Sequence, residues 1–270
     1  MVRDCADFHL VDLLHLHERH EDAFEDGAVG LTPARIRSLL FVAAADDRAV
    51  DEAFQSGADA LCFAAAGESA PSFKKMAAKI AAVRQQVAAP LIFISIPALD
   101  DHSIEARLDV IAPLAPDGLV LQNCGSGRAV RRLGALLAVK EAETGIAEGS
   151  TRIIALAAGT AASIFELGTF AKAGRRLIAL AWDAERLAAC LGVEEAVATE
   201  ANASAAPTAL ARNLLSFAAR AAKVMALDRA PPGADVERLR RSCEASRRDG
   251  FGGKWTSDSK AIAIINALFA

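Results

Sequence analysis

Nothing in this sequence pairs its cysteines. Cys5, Cys62, Cys124, Cys190 and Cys243 are an odd number, widely spaced, and form no CxxC. A disulfide framework is therefore excluded, and reduced thiols in a cytoplasmic protein are the expectation. An excess of one charge is also missing. Against 34 acidic side chains stand 30 basic ones, which leaves no basic field to recruit nucleic acid or an anionic membrane surface. The longest apolar tract, residues 153–165, contains Gly159, Thr160 and Ser163 and is too short to span a bilayer. The opening residues carry acids and histidines where a signal peptide needs an apolar core, so a soluble chain is expected.

What is present is a repeated unit. Residues 36–68 open with the apolar run Leu39-Leu40-Phe41-Val42, the pattern of a buried strand. Asp46 or Asp47 can cap a following helix whose apolar stripe is Val50, Ala53 and Phe54. Gly57 ends that helix, and Ala60-Leu61-Cys62-Phe63-Ala64 is a second apolar run. Two such strands joined by one helix make a parallel βαβ unit.

The unit recurs. Further strands are predicted at 90–96, 118–122, 152–156, 177–182, 224–227 and 253–256, and helices at 72–87, 103–114, about 129–144, 160–173, 184–191, 208–222, 236–248 and 259–269. Residues 198–207, rich in alanine, asparagine and serine, read as an exposed linker. Eight strands alternating with helices in 270 residues fit a closed α/β barrel, a (β/α)8 TIM barrel, over residues 35–270. An open doubly wound sheet would carry GxGxxG after its first strand. That turn reads Ala43-Ala44-Ala45-Asp46 instead. Residues 1–34 stand apart as an N-terminal helical extension with Leu10, Leu13 and Leu14 on one side.

Five segments carry a family resemblance: residues 35–42 (RIRSLLFV), 56–63 (SGADALCF), 115–122 (APDGLVLQ), 184–192 (AERLAACLG) and 249–269 (DGFGGKWTSDSKAIAIINALF). In unbroken order they resemble the citrate lyase β-subunit type of the HpcH/HpaI aldolase family. The resemblance implies a TIM barrel assembled as a trimer or hexamer, and Mg²⁺-dependent cleavage or formation of carbon–carbon bonds in acyl-CoA or oxo-acid substrates. It also implies that the C-terminal lid of the malyl-CoA lyase branch is missing. Such chemistry needs carboxylates to hold the cation that stabilises an enolate, and an arginine to grip a substrate carboxylate.

Carried over position by position, those groups are absent. The family's acidic run after the second strand falls on Phe63-Ala64-Ala65-Ala66-Gly67, and its third-strand arginine falls near Ile94. The metal-binding glutamate after the fifth strand falls on Gly159. The metal-binding aspartate after the sixth falls on Arg186, with Glu185 beside it. A cation at 186 repels Mg²⁺. The resemblance therefore implies a non-catalytic oligomer partner or ligand-binding subunit with no cofactor, a homo-oligomer or a mixed oligomer with a catalytic paralogue, taking an acyl-CoA or carboxylate ligand. The alternative is an active lyase whose Mg²⁺ is held by Glu68, Asp183 or Glu185.

Other constellations have a bland and a chemical reading. Gly125-Ser126-Gly127-Arg128 opens a helix at the functional face, where backbone N–H groups and Arg128 can bind phosphate or carboxylate; a tight turn with a serine cap is the plainer reading. Cys124 with His102 can form a nucleophilic dyad, or Cys124 is a small apolar strand-end residue. His17 and His20, one turn apart with His9 and His15 nearby, can share a metal, or they stud an exposed helix. Trp182 and Trp255 end their strands where rings line a barrel mouth, or else pack in the core. Lys74-Lys75, Arg131-Arg132 and Arg240-Arg241 read as solvated helix faces.

Overall fold

The computed structural model describes residues 35–44, 46–64, 70–85, 89–99, 103–193 and 206–270. In the helix that begins at Ala70, side chains are described from Ala77 onward. Residues 1–34, with the expected helical extension and its histidines, lie outside this set, as do Glu68 and His102.

The strands are β1 (Ser38–Ala43), β2 (Ala60–Ala64), β3 (Leu91–Ile96), β4 (Gly118–Leu121), β5 (Arg152–Ala157), β6 (Leu177–Trp182), β7 (Met225–Arg229) and β8 (Gly253–Thr256). Each pairs in parallel with the next, and β8 returns to β1 through Leu39 opposite Trp255, so the sheet closes as a barrel in sequence order. The helices are α1 (Asp47–Gln55), α2 (Ala70–Val83), α3 (Ile104–Ile111), α4 (Gly127–Thr144), α5 (Ala161–Phe165), α6 (Ala184–Leu191), α7 (Ala206–Ala221), α8 (Val236–Arg248) and α9 (Ile262–Leu268). The α/β barrel is as the sequence predicts.

Two apolar layers follow from strand alternation. Leu39, Cys62, Phe93, Val120, Ile154, Ala179, Ala181, Leu227 and Trp255 pack together inside the barrel. Their neighbours Leu40, Leu61, Phe63, Ile92, Ile94, Leu119, Ile153 and Leu180 face outward, against α1 through Val50 and Ala53 and against α3, α4 and α7. Asp46 caps α1 by accepting from the N–H groups of Arg48 and Ala49. Gly57, at φ 72°, lets the chain turn back into β2.

Charged residues hold the helices to the sheet. In α4, Glu141 accepts from both terminal nitrogens of Arg176 at 2.7 Å and from the backbone of Gly149 and Thr151. Around β7, Asp228 is buried and accepts from Lys254, Ser246, Arg212 and the Trp182 indole. Lys254, with 0% of its surface exposed, also donates to the Arg229 carbonyl. Burial alone would push the Asp228 carboxyl up, but Lys254 and Arg212 hold it well below the usual carboxylate range.

The differences from the sequence reading have physical causes. Strand β7 runs on through Asp228 and Arg229, because Lys254 and Trp255 of β8 pair with them and their charges are satisfied inside the fold. An apolar run alone stops at Leu227. Ala206 and Pro207 belong to α7 rather than to a linker, and residues 198–205 lie outside the described set. The expected helix over 160–173 divides into α5 and a 3-10 stretch, Leu167–Lys172.

Candidate functional site

Ligand chemistry in a parallel barrel is built at the C-terminal ends of its strands. On the inward face those ends carry Phe41 and Ala43 of β1, Ala64 of β2, Ser95 of β3, Leu156 of β5, Arg229 of β7 and Trp255 of β8, by continuation of the interior alternation. Ser95 accepts from the Gln122 side-chain amide at 2.6 Å. Phe41 and Trp255 meet at 5.1 Å between ring centroids. The mouth is lined mainly by apolar groups.

Its charge comes from β6, β7 and α6. Asp183 follows β6 and caps α6, accepting from the N–H groups of Glu185 and Arg186. The same carboxylate receives Arg229 Nη1 at 2.6 Å, and Glu185 receives that nitrogen at 2.8 Å. Arg229 also lies over the Trp255 ring, 4.9 Å from its centroid. One guanidinium thus pairs with two carboxylates and stacks on an aromatic face.

Arg186 points elsewhere. A Cβ placed on Gly159 would lie 3.1 Å from Arg186 Cδ, 3.5 Å from Nε and 3.7 Å from Cγ. The arginine stem therefore rests on the bare backbone at the end of β5. The guanidinium belongs to an exposed residue, whereas Gly159 is buried. The fold has brought positions 159 and 186 into contact from different βα units.

Several expected site residues stand differently. Trp182 does not line the mouth: it packs in the outward layer with Leu180 and Leu187, and its indole donates to Asp228 at 2.8 Å. An odd number of positions separates it from Ala179 and Ala181, so the pleat turns it to the helix side. Trp255 faces inward, donating to the Trp182 carbonyl at 2.8 Å. Ile94 also faces outward; the mouth receives Ser95 instead.

Cys124 is buried, and that burial pushes its thiol up to about 12, so a thiolate is disfavoured there. Ser126 occupies the N-cap of α4 without a side-chain cap bond. Its place is taken by Thr169, whose hydroxyl accepts from the Gly127 N–H at 2.8 Å. A Cβ on Gly127 would strike the Thr169 carbonyl at 2.2 Å. The Ala129 N–H goes to the Ser126 carbonyl, so the helix start is largely satisfied within the chain. Arg128 is exposed.

Arg229 is the candidate-site residue missed in the sequence. Its signal was the alternation Leu227-x-Arg229, which keeps the arginine on the inward face. Among the described residues no group of three or more His, Cys, Asp or Glu side chains is arranged to hold a metal ion. No helix among them is long and apolar enough to cross a membrane.

Comparison with known proteins matches this architecture. RipC from Yersinia pestis is 22% identical, with a TM-score of 0.65 over 88% of this chain and 96% of that one. The citrate lyase β subunit from Mycobacterium tuberculosis, complexed with oxaloacetate and magnesium, is 22% identical, with a TM-score of 0.64 over 87% and 97%. CitE from the same organism, in complex with magnesium, acetoacetate and coenzyme A, is 20% identical, with a TM-score of 0.64 over 87% and 81%. These likenesses establish the fold. A search of curated proteins finds no significant match. The sequence model of the HpcH/HpaI aldolase/citrate lyase family matches residues 37–258. On that match, spanning most of the barrel, the chain belongs to the HpcH/HpaI aldolase/citrate lyase family.

Proposed function

We propose that this chain is a citrate lyase β-like barrel that has given up divalent-metal chemistry and acts as a non-catalytic oligomer partner or ligand-binding subunit. The observation that carries the reading is the Arg229 clamp. Asp183 and Glu185, the carboxylates best placed to serve as relocated metal ligands, both bind Arg229 Nη1. A divalent ion would have to displace a guanidinium that is also stacked on Trp255. Arg186 adds a second cation at the position where the family resemblance expects an aspartate, with its stem over Gly159, where it expects a glutamate. The described residues of the mouth do not fit a Mg²⁺ site, since hard cations need several anionic or neutral oxygens converging on one point.

In the relatives crystallised with magnesium and an oxo-acid, a bound cation would polarise the acid and stabilise enolate charge. Here the mouth offers guanidinium groups, an apolar lining and the Ser95–Gln122 pair. That set suits holding a ligand rather than generating a carbanion.

Calorimetric titration of Mg²⁺ and Mn²⁺, with and without oxaloacetate or pyruvate, tests the reading. Silence toward the metal is expected in every combination. Metal binding strengthened by the oxo-acid would restore the alternative, a lyase with Mg²⁺ on Glu68, Asp183 or Glu185. For the partner role, affinity purification of the full chain is expected to recover a catalytic paralogue in a mixed trimer or hexamer. Recovery of a homomer alone would leave only the ligand-binding version, for which a thermal-shift panel of acyl-CoA thioesters is the companion measurement.

A further inference from the structure

We infer that the outer wall formed by α4 and the 3-10 stretch Leu167–Lys172 is a docking surface for an acidic helical segment of a partner protein. The inference goes beyond the reading of the mouth and does not depend on whether a metal binds there. Arg128, Arg131 and Arg132 on α4 are exposed, as are Lys172 and Arg175 at the far end of the stretch. The two elements pack together. Gly127 N–H donates to Thr169, Arg131 Nη1 donates to the Lys172 carbonyl at 2.9 Å, and a Cβ on Gly134 would lie 3.4 Å from Arg176 Cδ. The five cations therefore share one surface.

That surface is an exception in this chain, where acids outnumber bases. Residues 127–139 and 167–176 contain no acidic residue, and none of the five cations makes an ion pair among the described residues. Glu141, further along α4, is taken by Arg176. On other helices the cations have acids at hand, as in Arg48–Glu52, Lys140–Glu143 and Arg241–Glu237. The unpaired arginines of α4 also crowd its first two turns, the end at which the helix dipole disfavours positive charge, and Arg128 and Arg132 repel one another across one turn. An acidic partner relieves both costs. Carboxylates spaced one turn apart on a facing helix match the spacing of Arg128 and Arg132. Phe165, 90% exposed just before the stretch, adds an aromatic anchor of the kind that interfaces use. It is a single ring and not the row that stacks single-stranded bases, and the net charge of −4 opposes a nucleic-acid backbone.

The test is fluorescence anisotropy of the full chain with a labelled alanine-based helical peptide that carries glutamate once per turn. The peptide is expected to bind at low ionic strength and to weaken as salt rises. R131Q/R132Q should weaken it about tenfold, the scale of two rim charges. R128Q, which leaves the Arg131 contact intact, should weaken it about threefold. R240Q/R241Q removes the same charge from α8 and should change the affinity less than about twofold. Equal losses in the two double variants would overturn the surface, because net charge alone would then explain the binding. So would tighter binding of a single-stranded RNA of equal charge. Absence of peptide binding would also overturn it, and would leave the metal-free reading standing.

Discussion

The contact between Gly159 and Arg186 is a property of two residues and is tested at that scale. Ala at 159 adds one methyl group 3.1 Å from Arg186 Cδ, so the arginine stem must give by a few tenths of an ångström. Because the obstacle is a side chain and not backbone, the cost should be small, about 0.5–1 kcal/mol of unfolding free energy. In an R186A background the same methyl meets no arginine, and Gly159→Ala should be neutral or stabilise by about 0.5 kcal/mol through the unfolded state. A urea double-mutant cycle reads the difference; additive effects would mean that the two residues do not share this space. In the sequence, Arg186 was legible as a cation in an expected aspartate position and Gly159 as a missing carboxylate. Their mutual contact was not, because 27 positions of chain separate them and only barrel closure brings the loops together. Ile94 shows the opposite limit: a register one residue off places a side chain on the wrong face, and Ser95 is what the mouth receives.

At the scale of elements, ion pairs decide how helices sit on the barrel, and α4 gives the clearest case. Burial pushes the Glu141 carboxyl up, but Arg176 and the backbone N–H groups of Thr151 and Gly149 outweigh that and bring it from 4.5 to about 2. A carboxyl whose folded pKa is depressed stabilises the fold fully above its unfolded value and loses that contribution as pH falls through the folded one. Wild-type stability should therefore decline between about pH 4.5 and pH 2 as this tie is protonated. Glu141→Gln should be about 3 kcal/mol less stable at pH 7, since it strands a mostly buried arginine, and its acid limb should be flatter. Urea midpoints across pH measure both, and parallel acid limbs would remove Glu141 from the account. Strands and helices were read well wherever apolar periodicity runs unbroken, as in β2, β6 and α6. The reading failed at β7 because Asp228 and Arg229 are charged yet paired with Lys254, Arg212, Asp183 and Glu185. Partners that distant in the chain are invisible to a local pattern. Trp182 was misplaced because the strand end was read without its pleat: one position from inward Ala181 it faces the helices, where its indole donates to Asp228.

For the whole molecule, the seam between β8 and β1 determines which parts of the chain the barrel requires. All eight strands of the barrel, and both partners of that closing pair, lie within residues 35–270. On β1, Ser38 donates to Asn266 of α9 at 2.7 Å, and Asn266 in turn donates to the Gly57 carbonyl at 2.8 Å. The last helix therefore bridges the first strand and the turn that leads into the second. Packing repeats the link, since Ile262 of α9 joins the outer apolar layer and Ile265 and Phe269 pack on Leu239 and Cys243 of α8. Removing residues 1–34 should accordingly leave one cooperative thermal transition, shifted by no more than about 4 °C, the scale of a 1 kcal/mol change at this size. Removing residues 259–270 should abolish that transition, because it uncovers the apolar flank of the seam and leaves the Gly57 carbonyl without its partner. Circular dichroism melts of the two truncations decide the matter. A chain lacking 259–270 that still melts cooperatively would show that the barrel closes through its strand pairing alone.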